Sequence, residues 1–169
     1  MVIGWDYYTF GYPRRIPDGV LVLCSQSLLG IHNGEAWQIE AALSFALYNG
    51  YQYLLKSAGD IVIENPAGLD ACLELIRDCD YLSTHAVNLD TRMFFGRVLP
   101  LYKIATAARA NNEYFQIIEV QYQREAEKLN LRKKQLNHYE SFGVTHLQPA
   151  GDHDRWGIGM ELSRDDWLR

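Results

Sequence analysis

Apolar residues recur at spacings of three, four and seven between Asn112 and Phe142, where Phe115, Ile118, Tyr122, Ala126, Leu129 and Leu136 share one helical face and neither Gly nor Pro intervenes. The pattern predicts a helix of about 45 Å at its standard rise. A compact globule of this chain length is only about 40 Å across. The expected helix therefore spans the body or projects from it. Glu125 and Arg132 interrupt its seam, so it does not read as a strict coiled coil.

The pattern upstream changes period several times. The N-terminal stretch is aromatic and broken by Gly4, Gly11, Pro13 and Pro17, and reads as short strand or surface coil. Val20 to Cys24 is an unbroken apolar run of strand length, expected to be buried on both faces. Asn33 reads as the N-cap of a helix from Glu35 to Tyr48, with Asn49-Gly50 as its left-handed stop. Along that helix Trp37, Ile39, Leu43, Phe45 and Leu47 point several ways, which predicts burial on most sides. Tyr51 to Leu55 and Ile61 to Glu64 read as a hairpin turning at Gly59.

Asn65-Pro66 signals another helix start, with Leu69, Cys72, Leu73 and Ile76 on one stripe and an end near Asp80. From Leu89 to Ala110 the chain reads as helical, kinked or restarted at Pro100, with Leu101, Ile104, Ala105 and Ala108 offering a small-residue face to the long helix. After Gly143 a strand is expected at Val144 to Gln148, and alternation at Trp156, Ile158, Met160 and Leu162 predicts a last strand returning to the sheet. The expected fold class is α+β: a small, mainly antiparallel sheet packed by short helices, plus a long C-terminal helical hairpin. It is read as one domain, with 1–88 the body, 89–142 the hairpin and 143–169 the tail.

Composition adds bounds. With 169 residues, 48% of them apolar, the chain can bury a core without staples. Its net charge is -5, but the helical part is basic on an acidic body. No run approaches the roughly 20 apolar residues of a membrane span, and no basic start leads into a greasy core, so the expected location is cytoplasmic. Cys24, Cys72 and Cys79 are odd in number and lack metal spacing. They read as buried free thiols.

Candidate chemistry is sparse. His146, Asp152, His153 and Asp154, with His138 and Glu140 nearby, are ligand types, yet adjacent loop residues seldom face one ion, and a solvated turn is the simpler reading. Cys24 at a strand end, with His85 and Asp90 as base and orienter, offers a nucleophile arrangement without the Gly-x-Ser/Cys-x-Gly elbow. The loop Leu29 to Gly34 lacks the rest of a phosphate-binding signature. No catalytic, metal or cofactor assignment follows.

The residues assigned to binding are therefore those of the long helix: Tyr122, Arg124, Lys128, Leu129, Arg132, Leu136 and Tyr139. The leading expectation is a non-enzymatic protein-interaction module, an inhibitor or adaptor that binds a protein partner or itself through this helix. The alternatives are a small hydrolase using a His/Asp or Cys/His site, and a nucleic-acid binder using the ridge Arg124, Lys128 and Arg132, continued by Lys133 and Lys134.

Overall fold

A computed structural model describes residues 2–6, 21–25, 31–57, 61–65, 67–84, 88–111, 118–136 and 142–146. In chain order these form β1 (Val2–Asp6), β2 (Leu21–Ser25), α1 (Ile31–Tyr48), β3 (Tyr53–Ser57), β4 (Ile61–Ile63), α2 (Gly68–Leu75), a 3-10 turn (Ile76–Asp78), β5 (Tyr81–Ser83), β6 (Met93–Arg97), α3 (Val98–Ala110), α4 (Ile118–Lys128), β7 (Lys133–Gln135) and β8 (Val144–His146). The class is mixed α+β. A four-stranded sheet runs β3-β6-β5-β7, antiparallel except for the parallel β5-β7 edge, and two-stranded pairs β1-β2 (parallel) and β4-β8 (antiparallel) accompany it.

Strand alternation on β6 divides the interior into two cores. Phe94 and Gly96 turn toward the helical face, where Leu54 and Tyr81 from neighbouring strands join Ile39 and Leu43 of α1, Leu101, Ile104 and Ala105 of α3, and Ile118 and Tyr122 of α4. Met93 and Phe95 turn the other way, with Leu55 and Leu82, onto Cys72, Ile76, Cys79, Leu136 and Phe142. Both faces of the central strand are thus dry, which is why it is written as a continuous apolar run and not as an alternating one. The Phe95 ring stacks on Tyr53 at 5.7 Å, so the two strands are also joined by a ring pair.

Burial of the cysteines follows from this second core. Desolvation pushes the Cys72 thiol up to about 11, and the Cys79 thiol donates to the Leu75 carbonyl at 3.4 Å. Both are free and buried.

Several expectations need correction. The helix read over Leu89 to Ala110 starts only at Val98, because Met93–Arg97 is the central strand. The hairpin expected between Tyr51 and Glu64 is absent: β3 pairs with β6, and β4 pairs with β8. Asn33 is not an N-cap, since α1 already begins at Ile31. The four-stranded sheet is mainly antiparallel, with one parallel edge, and the predicted strand at Trp156 to Leu162 lies outside the described residues.

The largest correction concerns the helix expected from Asn112 to Phe142. Its described part is α4, Ile118–Lys128, and 112–117 and 137–141 lie outside the described residues. From Leu129 a different structure takes over. Asn130 adopts a left-handed backbone at φ 52°, the Leu131 amide donates back to Ala126 O at 3.0 Å, and the Asn130 amide donates to Glu127 O at 2.9 Å. These two bonds make a Schellman stop, and Leu131 and Ala126 add its usual apolar contact. The chain then enters β7, with the Arg132 amide donating to Asp80 Oδ2 at 2.8 Å and the Leu136 amide donating to Ser83 O at 2.8 Å.

Candidate functional site

The stop at Asn130 distributes the predicted binding residues over separate environments. Tyr122, 2% exposed, is in the helical core, whereas Leu136, 1% exposed, is in the core on the opposite face of the sheet. They cannot share one interaction stripe. Leu129 is 40% exposed beside the helix stop, and Arg124 is exposed on α4. Tyr139 lies outside the described residues.

The basic ridge is engaged within the chain. Lys128 Nζ meets Glu125 Oε1 at 2.6 Å, Arg132 Nε lies 3.9 Å from Asp80 Oδ2, and Lys134 Nζ lies 3.3 Å from Asp78 Oδ2. The most exposed of them, Lys134 with Asp78, adds little stability. The pairs together do reduce the charge offered to a phosphate backbone, which weakens the nucleic-acid reading. Glu125 itself is buried and accepts from Asn111 Nδ2 at 3.3 Å, at the C-terminal end of α3. A carboxylate placed in the apolar seam therefore ties two helix ends together.

A chain of polar contacts crosses the helical core. Lys56 Nζ donates to Glu35 Oε1 at 2.8 Å and to the Thr91 carbonyl, and the Thr91 hydroxyl donates to Glu119 Oε1 at 2.6 Å. Strand β3 is thereby linked to α1 and α4 through the turn before β6. Nearby, Arg109 meets Glu40 as an ion pair at 3.0 Å without hydrogen-bond alignment.

The Tyr122 hydroxyl is buried and has no hydrogen-bond partner among the described residues. Burial pushes its proton affinity up, and the fields of Glu35 and Glu40 push it further. An unpaired buried hydroxyl costs stability. Tyr122→Phe is expected to leave stability unchanged or to raise it by up to about 1 kcal/mol in urea unfolding. A loss of stability would show that this hydroxyl holds a bond in solution.

The catalytic candidates do not assemble among the described residues. Asp90, proposed as orienter, has its carboxylate occupied. Thr84 Oγ1 donates to Oδ2, and the Arg92 amide and Nε donate to Oδ1 at 3.0 and 3.2 Å. Burial raises its carboxyl, but these donors outweigh burial and hold it below the usual carboxylate range. The Ser83 hydroxyl accepts from the Asp90 amide at 2.9 Å and donates to Asn88 O at 3.1 Å. The arrangement fixes the chain between β5 and β6.

His85, His138, Glu140, Asp152, His153 and Asp154 lie outside the described residues, and Cys24 and His146 are placed by their strands alone. Among the described residues no three His, Cys, Asp or Glu side chains are grouped as a metal would require. No helix among them is long and apolar enough to cross a membrane.

The surface that sequence reasoning missed is on α1. Ile39, Leu43 and Ala46 face the core, and the opposite side carries Trp37, Phe45 and Tyr48. Tyr48 is 92% exposed, Tyr51 beyond the helix stop is 59% exposed, and Leu99 at the start of α3 is 50% exposed. The Phe45 and Tyr51 rings stack at 6.5 Å. The Val98 amide donates to Gln52 O at 2.9 Å, which brings Leu99 to the same end of the molecule. Both carboxylates of α1, Glu35 and Glu40, are paired with Lys56 and Arg109, so among the described residues the helix itself brings no unpaired charge to this face.

This end is formed by chemistry that the sequence states openly. The Gly50 amide donates to Leu47 O at 3.2 Å and the Tyr51 amide donates to Ala46 O at 2.9 Å, with Gly50 at φ 74°. That Schellman stop turns the chain and directs Tyr51 outward beside Phe45. The signal available in the sequence was Asn49-Gly50 flanked by three aromatic rings.

No protein-family model matches the chain. No curated protein matches it either.

Proposed function

We propose that this chain is a non-catalytic protein-interaction module whose contact surface is the aromatic end of α1 with Tyr51 and Leu99. The observation that carries the reading is the exposure of Phe45, Tyr48, Tyr51 and Leu99 together, at the end of a helix whose two carboxylates are both paired. Aromatic side chains supply large contact area at low entropic cost and dominate protein interfaces. Contiguous apolar surface of this kind is what soluble monomers tend to avoid. The Tyr hydroxyls leave the patch compatible with water until a partner arrives.

The reading moves the interaction surface from the expected long helix to α1. It keeps the function class, because exposed aromatic and apolar side chains, one of the two features sought on that helix, are present here instead, without its charged ridge. Tyr48→Asp with Tyr51→Asp places two carboxylates on positions that face solvent, so the fold is expected to persist by circular dichroism. A partner retained by the native chain in affinity capture is expected to be lost from the double variant, by at least tenfold in recovered amount. Equal recovery by both chains would rule out this surface.

A further inference from the structure

The outward face of α1 is arranged symmetrically about its own midpoint. Trp37, Ala41, Ser44 and Tyr48 follow one another at steps of four, three and four, and therefore lie along one side of the helix, roughly three turns from end to end. Two large side chains bracket two small ones. The Ser44 hydroxyl donates to Glu40 O at 2.8 Å, so it makes no demand on a partner. Trp37 is 39% exposed at one end and Tyr48 is nearly fully exposed at the other.

Such a large-small-small-large row is complementary to itself when reversed. Laid antiparallel against a second copy, Trp37 of one chain meets Tyr48 of the other, and Ala41 meets Ser44. The two helices approach most closely at the small residues, and each aromatic ring packs against its counterpart at the ends. An isologous contact requires this property, because one patch must serve both partners.

Charge points the same way. Two chains of net charge -5 repel over most of their surfaces, and both carboxylates of α1 are already paired, Glu35 with Lys56 and Glu40 with Arg109, among the described residues. The exposed area approaches, without reaching, what such a contact takes. With about 150 to 250 Å² for a whole aromatic side chain, the exposed parts of Trp37, Phe45, Tyr48 and Tyr51 come to on the order of 500 Å². A standard interface takes about 800 Å² from each partner. The half-buried Ala41 and Ser44 within the row, with the exposed Leu47 and Leu99 at the same end of the molecule, extend it toward that value.

We infer that the chain forms a two-fold symmetric dimer through antiparallel packing of α1 on α1, with Trp37 against Tyr48 and Ala41 against Ser44 across the axis. The inference rests on the proposed role of α1 as an interaction surface and names its occupant as a second copy.

The register makes the test specific. In sedimentation equilibrium the native chain is expected to show a concentration-dependent monomer-dimer equilibrium. Ala41→Lys with Ser44→Lys sets like charges opposite one another and is expected to weaken the dimer by at least a hundredfold. Ala41→Glu with Ser44→Lys sets opposite charges across the axis and is expected to recover at least tenfold of that loss. Tyr48→Asp, at a solvent-exposed position where folding is not at issue, is expected to give a monomer.

A native chain that remains monomeric at millimolar concentration overturns the dimer. So does a dimer that is indifferent to Tyr48→Asp, or one that the Lys/Lys and Glu/Lys variants weaken equally. Loss of the dimer inference leaves the protein-binding reading intact if a heterologous partner is still lost with Tyr48→Asp and Tyr51→Asp. That reading fails separately if those substitutions leave partner recovery unchanged.

Discussion

Gly96→Val is expected to unfold the protein or to lower its melting temperature by more than about 12 °C, and Gly96→Ala to lower it by about 2 to 12 °C. The reason is the close approach of three elements on the helical face of β6. A Cβ at Gly96 would lie 2.8 Å from Leu101 Cδ1 and 2.9 Å from Tyr81 Cβ. The first contact is with the end of a buried side chain that can rotate only into other core atoms. The second is with a Cβ fixed by the backbone of β5, paired with Gly96 in the ladder. An added methyl must therefore separate β5 from β6 or lift α3 from the sheet, which typically costs about 1 to 3 kcal/mol. At this chain length 1 kcal/mol is roughly 2 to 4 °C. Gly50→Ala gives the contrast, since a Cβ there meets nothing within 4 Å and only the positive φ opposes it. Combining Gly96→Ala with Leu101→Val should cost less than the sum of the two, because the smaller side chain relieves one of the two contacts. A Gly96→Ala protein as stable as the parent would show that the helical layer shifts freely over the sheet.

Two helix stops of the same kind mark what the sequence made legible. At the end of α1, Gly50 takes the left-handed position and announces it, because Gly is the residue most often found there. At the end of α4, Asn130 takes the same position with the same pair of backbone bonds. Asn is tolerated in that conformation but is also common elsewhere, so Leu129-Asn130-Leu131 did not interrupt the period of three and four. The spacing that carried the stripe on to Leu136 was coincidental. Leu136 is apolar because it is buried after β7 in the second core, not because it follows Leu129 on a helix.

Strand β6 was hidden for the opposite reason. Met93 to Arg97 is apolar on both faces and runs directly into α3, so neither alternation nor a turn separates strand from helix. Periodicity has no leverage on an element that is dry all round. The pairing of β3 with β6 was equally out of reach, since register over a distance of some forty residues is set by the two cores and not by the intervening turn.

The exposed aromatic end of α1 was legible only in part. Trp37, Phe45 and Leu47 were noticed, but an apolar helix predicted burial, and only packing decides which side a helix turns inward. Ile39, Leu43 and Ala46 fill the space against α3 and α4, and the remaining aromatics are left outward. On α4 the error had the reverse sign. Tyr122 was expected at a surface, yet it packs beside Ile118 and Ala126 under α1.

Arg97→Ala is expected to destabilise the protein by about 2 to 4 kcal/mol, because one side chain satisfies carbonyls that the fold leaves open. The 3-10 turn after α2 ends with acceptors that no further helical amide can reach. Arg97 Nε donates to Cys79 O at 3.2 Å, and its Nη2 donates to Ile76 O at 3.2 Å and to Arg77 O at 3.3 Å. Its guanidinium also lies over the Tyr53 ring, 5.9 Å from the centroid. The positive charge sits at the negative end of the helix, where it is favoured. Removing it leaves the Arg77 and Cys79 carbonyls to recruit water at the edge of the second core, and leaves Ile76 O with the Cys79 amide as its donor at 3.3 Å. Arg97→Lys keeps the charge but not the planar fork that addresses several carbonyls at once. It should therefore recover less than half of the loss in urea unfolding. Full recovery by Lys would mean that charge at the helix end, and not the fork, carries the effect, and an unchanged Arg97→Ala midpoint would mean that solvent replaces all three bonds at no cost.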